Sequence, residues 1–135
     1  MESSSKDLVK EYLSLMIEKS NLVVERNAPI AKYHDFLISP SSMEKFDAAC
    51  MLIQVIGEIA RKIDKWTSSR LFPNYPQVYW KGVFALRNII SHEYGNVDPM
   101  NIFKIIKKYL PELIVCVELI LTDIKAGKHD DLFEI

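Results

Sequence analysis

The chain has 135 residues, the size of one domain, and enough to bury roughly two-thirds of its unfolded surface without disulfides or a structural metal. Its four glycines, about 3% against a typical ~7%, argue against a turn-rich β fold; they stand singly at Gly57, Gly82, Gly95 and Gly127, which excludes a glycine-rich phosphate loop. With 17 Lys+Arg against 18 Asp+Glu the net charge is −1, so no global basic field can hold a polyanion and any nucleic-acid contact must be local.

The order of elements reads as all-α. Leu8, Tyr12, Leu15, Met16, Leu22 and Val23 follow helical spacing, predicting a first helix over 5–26 that Pro29 closes. Residues 28–39 have no clear period and read as a connection with a short helical turn at 33–37. A second helix opens at Ser41, with Glu44 three residues on completing a capping box. Its seam of Phe46, Cys50, Ile53, Gly57 and Ala60 steps by four and three, as in helix packing, and it ends near Trp66.

Two prolines break 71–76, and a third helix is expected to start with Pro76 in its first turn and fray at Tyr94 and Gly95. A fourth runs from the Asp98 cap and Pro99 to about Lys125. Its two apolar stripes, from Ile102 to Ile124 and from Phe103 to Leu121, exceed what one bundle covers and point to a central helix or a self-association surface. The expected domains are a helical unit at 1–127 and a mobile acidic tail at 128–135.

Cys50 and Cys116 lie in apolar stretches, as buried free thiols of a reducing compartment do. The polar start resembles no signal peptide, and no apolar run approaches the ~20 residues of a membrane span; a soluble cytoplasmic protein is expected. His34 and His129 read as surface histidines, without metal-ligand spacing.

Arg87, Asn88, Ser91, His92 and Tyr94 crowd one helix end, and their chemistry fits cleavage of RNA without a metal or cofactor. Histidine can take the proton of a ribose 2′-hydroxyl or protonate the leaving 5′-oxygen. An always-charged Arg can stabilise the extra negative charge on phosphorus, while Asn88, Ser91 and Tyr94 orient the phosphate. An ideal helix separates Arg87 from His92 by about 140°. They converge only if the helix loosens, the Arg bends round, or a second copy supplies one of them. The blander alternative is that Arg87 pairs with Glu58 while His92 and Tyr94 cap the helix. Over 59–92 the charged residues are Arg61, Lys62, Asp64, Lys65, Arg70, Lys81 and Arg87, a local +5 that leaves −6 elsewhere. Lys104, Lys107 and Lys108 form a second basic cluster that could flank an RNA path.

The run 87–94, RNIISHEY, resembles the R-N-x-x-x-H-x-Y signature of the HEPN superfamily, in particular the HepT-type toxins of MNT–HEPN toxin–antitoxin pairs. Ile56-Gly57-Glu58, the stretch 76–80 and Val97-Asp98 are similar to the same pattern, and the resemblance covers about 6–125. It implies an up-and-down bundle of four to five helices that dimerises, so that two motif helices face one another across a composite ribonuclease site. On that resemblance Arg87 and His92 are catalytic, Asn88 positions the RNA, with Ser91 beside it a supporting residue by its chemistry alone, and Tyr94 accepts AMP from a nucleotidyltransferase antitoxin. Two other readings remain open: a non-catalytic module binding nucleotide or RNA through Arg87 and His92, and a structural adaptor using the last helix for a protein partner.

Overall fold

A computed structural model describes residues 5–89 and 97–133. All regular structure within them is helical. Helix α1 is Ser5–Arg26, α2 is Pro40–Trp66 and α3 is Trp80–Ala85; α4, Pro99–Lys104, and α5, Leu110–Lys125, are joined by a π-helical turn, Ile105–Tyr109. The principal packing is α1 on α2 and α1 on α5, with α3 laid across α2. The core is drawn from every layer: Leu13 and Met16 of α1, Ile53, Ile56 and Ile63 of α2, and Ile102, Ile106, Leu110 and Ile120 of the last helical run are all essentially solvent-free. Each such side chain contributes about 1.5–3 kcal/mol relative to exposure. The all-α bundle is as the sequence predicts, and no helix of the described residues is long and apolar enough to cross a membrane.

Local chemistry sets the boundaries. α1 and its end at Arg26 are as expected, and so is the short turn after it, a 3₁₀ helix at Tyr33–Leu37. Asp35 holds that connection: its Oδ2 accepts the backbone N–H groups of Ala31 at 2.9 Å and Lys32 at 3.1 Å. These two bonds keep its carboxyl below the usual range.

The cap of α2 lies two residues earlier than the capping box at Ser41 predicts. Ser39 Oγ accepts the Ser42 N–H at 3.1 Å, Ser42 Oγ accepts the Ser39 N–H at 3.1 Å, and Pro40 takes the first helical position. Proline suits that place because its missing N–H would be unpaired there in any case.

The last helical run starts as expected: Asp98 Oδ1 accepts the Met100 N–H at 3.0 Å and Pro99 follows. It is not one α-helix, however. Pro111 has no N–H to give the carbonyl four residues back, and its ring would collide with it. The chain widens just ahead of that point, with Leu110 N–H bonding to the Ile105 carbonyl. One-turn π segments of this kind relieve such conflicts.

Residues 128–133, which the sequence leaves as a tail, lie against the bundle. Lys6 Nζ meets Asp130 Oδ1 at 2.7 Å, Arg70 meets Asp131 at 3.6 Å, and Leu132 and Phe133 pack on the core. Gly127, at φ +86°, turns the chain back onto the bundle, a conformation glycine adopts without penalty.

Candidate functional site

Glu58, Arg61, Lys62 and Lys65 recur at helical spacing on the exposed side of α2, so they share one face. With Asp64, Ser69 and Arg87 they line an open cleft of about 590 Å³. Four cations face two carboxylates there, and Asp64 is already engaged, accepting from Ser69 Oγ at 3.0 Å. The chain leaves α2 through Ser68 and Ser69, both in the left-handed region at φ 53° and 57°, an uncommon conformation for non-glycine residues. Ser69 N–H also donates to the Asp64 carbonyl at 2.8 Å, which pins that turn.

Arg87 reaches the cleft because the turn that follows α3, Leu86–Asn88, sits unusually close to α2. A Cβ on Gly57 would fall on the backbone nitrogen of Arg87 and within 3.0 Å of both the carbonyl carbon and the Cβ of Leu86. Only glycine allows the two backbones this approach. Six residues cannot sustain a helix alone, so α3 depends on such contacts. Trp80 stacks on Phe72 at 3.9 Å between ring centroids and donates its Nε1–H to the Tyr75 carbonyl at 2.9 Å.

The third helix therefore begins at Trp80, where Pro76 was expected in its first turn, and it tightens into a 3₁₀ turn over Leu86–Asn88. That turn keeps Leu86 half-buried and leaves Arg87 and Asn88 exposed. Among the described residues Arg87 forms no ion pair, so the anticipated pairing with Glu58 is not made; Glu58 instead accepts a long, 3.5 Å bond from Gln54. Ser91, His92 and Tyr94 lie outside the described residues.

The second basic cluster divides. Lys107 Nζ donates to the Asn27 carbonyl at 2.9 Å and ties the π turn to the end of α1. Lys104 and Lys108 lie over the Tyr109 ring, at 5.8 and 5.6 Å from its centroid. His34 is exposed and stacks on Tyr33 at 4.1 Å, as a surface histidine.

His129 is not merely a surface residue. The buried Tyr75 hydroxyl donates to Asp123 Oδ2 at 2.7 Å and contacts His129 Nε2 at 2.7 Å. With its one proton given to Asp123 the hydroxyl is left as acceptor, so Nε2 of His129 is the donor. The Tyr75 bond, and then Lys128 and His129, hold the Asp123 carboxyl below its usual range; burial, and then Asp123, push the Tyr75 hydroxyl up. Partners 48 and 54 residues apart leave no spacing signal in the sequence. The trio holds the C-terminal segment against the stretch that leads into α3.

Burial pushes both thiols, Cys50 and Cys116, up to about 11. Both are free and buried, as their apolar context predicts.

The fold is an all-helical bundle in which the turn after the short third helix carries Arg87 into a basic cleft, and comparison with known proteins places this bundle in a family. The family model described as "Ribonuclease HepT-like" matches residues 16–120. The chain belongs to the HepT-like ribonuclease family, as its motif resemblance implied.

Among its relatives, "Putative RNase MJ1380" of Methanocaldococcus jannaschii is 33% identical over 116 residues, covering 86% of this chain and 99% of that protein. "Putative RNase TTE0752" of Caldanaerobacter subterraneus is 27% identical, over 83% of this chain and 93% of its own length. "Probable ribonuclease HepT" of Thermococcus cleftensis is 28% identical, with 77% and 87% covered. No solved structure matches the chain significantly.

Proposed function

We propose that this protein is a metal-independent endoribonuclease and the toxin of a toxin–antitoxin pair. The observation that carries the reading is the placement of Arg87, without an ion pair among the described residues, in a cleft it shares with Arg61, Lys62 and Lys65, in a chain of the HepT-like ribonuclease family. An arginine so placed has its full charge available for a phosphate.

In the proposed reaction the ribose 2′-oxygen attacks phosphorus, the bond to the 5′-oxygen breaks, and the products carry a 2′,3′-cyclic phosphate and a free 5′-hydroxyl. Arg87 stabilises the charge that builds on the phosphoryl oxygens. His92 serves the proton transfer, taking the 2′-hydroxyl proton or supplying one to the leaving oxygen. Asn88 and Ser91 orient the phosphate. Two copies form the working unit, so that Arg87 and His92 meet across a two-fold axis despite their separation along one helix.

Tyr94 is the proposed point of control. A nucleotidyltransferase antitoxin transfers AMP from ATP to its hydroxyl, releasing pyrophosphate. The bulky anion beside Arg87 and His92 then excludes the RNA backbone.

An RNA oligonucleotide and its counterpart with 2′-deoxyribose throughout test the chemistry. The expected result is cleavage of the first, with cyclic-phosphate ends, and an intact second. Equal cleavage of both would remove the 2′-hydroxyl from the mechanism. Co-expression with a nucleotidyltransferase should add AMP mass to the wild-type chain and none to Tyr94→Phe.

A further inference from the structure

Behind the turn that carries Arg87, between α3 and the α4–α5 run, lies a second, largely apolar groove of about 590 Å³. Leu86 and Ile89 line it, so it begins one residue either side of Arg87 and Asn88. Its two walls present tyrosine rings to solvent: Tyr79, 75% exposed, and Tyr109, 44% exposed. Neither ring is there by default of packing. Tyr79 lies over Gly82, where a Cβ would come within 2.8 Å of its Cδ2, so the missing side chain is what lets the ring lie down on α3. Tyr109 ends the π turn that precedes Pro111, and Lys104 and Lys108 stand over its ring near the outer limit of cation–π contact.

Exposed flat aromatics flanked by loosely held cations are what single-stranded nucleic acid requires: every base has a face to stack, and the backbone needs counter-charge. The geometry points to this groove as a base-stacking subsite for single-stranded RNA beside the scissile phosphate, with bases on Tyr79 and Tyr109 and the backbone on Lys104 and Lys108. It rests on the ribonuclease reading above, and it names where the unpaired nucleotides next to the cut site lie. RNA is the occupant we favour over a second copy of the chain, because the exposed Tyr109 ring carries two lysines, Lys104 and Lys108, that a polyanion would neutralise. Glu112 is the one charged residue among the described residues lining the groove, and it opposes two flanking lysines.

The test is fluorescence anisotropy of a fluorescein-labelled single-stranded RNA, 2′-O-methylated so that it cannot be cleaved, titrated with the full chain. Tyr79→Ala and Tyr109→Ala should each weaken binding on the order of tenfold, the stacking contribution of one base. Tyr79→Phe and Tyr109→Phe should bind as wild type, since stacking needs no hydroxyl. Gly82→Ala, which displaces the Tyr79 ring without removing an aromatic, should weaken binding too. Alanine variants that bind as wild type overturn the proposal. So does a loss of binding accompanied by a lower mass in light scattering, which would make the groove a self-association surface. If the tyrosines govern binding and the wild-type chain cuts no RNA, the subsite stands and the ribonuclease reading falls; if the alanine variants bind and cleave RNA normally, the reverse holds.

Discussion

Gly57 shows how the lack of a side chain holds Arg87 where it is, and Tyr75 how one hydroxyl ties the C-terminal segment to the stretch that leads into α3. Gly57→Ala puts a methyl group on the Arg87 backbone, a backbone-against-backbone clash that no rotamer relieves. It should cost about 1–3 kcal/mol, the usual penalty of overpacking, and should reduce RNA cleavage far more than the stability loss alone explains, because the turn carrying Arg87 must lift from α2. Thermal melting and cleavage measured on the same preparation check both. Tyr75 acts at the other end of the α3 approach. Since its hydroxyl holds the Asp123 carboxyl below the ordinary range, the bond contributes stability above the unfolded carboxylate pKa and loses it as pH falls through the lowered folded value. Tyr75→Phe should therefore be less stable than wild type at neutral pH, with the gap closing in acid. Denaturant titrations at both pH values would show it, and a gap independent of pH would contradict the linkage.

The elements were legible in proportion to how local their causes are. Periodicity defined α1, and its loss defined the 28–39 connection, because both depend on neighbours within a turn or two. The α2 cap was misplaced by two residues because serines at 39, 41 and 42 all offer hydroxyls, and only Pro40 at the first helical position selects Ser39. The π turn was signalled by Pro111, yet the apolar stripes on both sides kept a helical period and masked it. The packing of 128–133 could not be read at all, since Lys6, Arg70 and Tyr75 are remote in sequence. Removing residues after Gly127 should lower the melting temperature by roughly 5 °C or more, through lost contacts of Leu132 and Phe133 and the His129–Tyr75 bond rather than the exposed ion pairs, which contribute little. A truncated chain that melts with the wild type would show the segment to be a loose tail.

Over the whole molecule a net charge of −1 conceals a polarised surface. Cations gather where α2 meets the Arg87 turn and again on the π turn, while carboxylates such as Asp130 and Asp131 serve the C-terminal strap. The motif was legible as chemistry before any fold was known, since Arg and His at this spacing are unusual ornaments for a helix end. The excess of positive charge over 59–92 was legible too; what could not be read of the Arg87 environment was the close approach at Gly57 that brings Arg87 beside the α2 cations, and the aromatic groove behind. The reading as a ribonuclease joins that environment to His92. Its most direct test is cleavage of a labelled RNA in excess chelator by the wild-type chain, Arg87→Ala and His92→Ala, each confirmed folded by circular dichroism. The account predicts chelator-resistant cleavage by the wild type, reduced at least a hundredfold in each variant, as loss of a positioned proton-transfer or charge-stabilising group requires. Cleavage that survives both substitutions, or a folded wild type that leaves RNA intact, would contradict it.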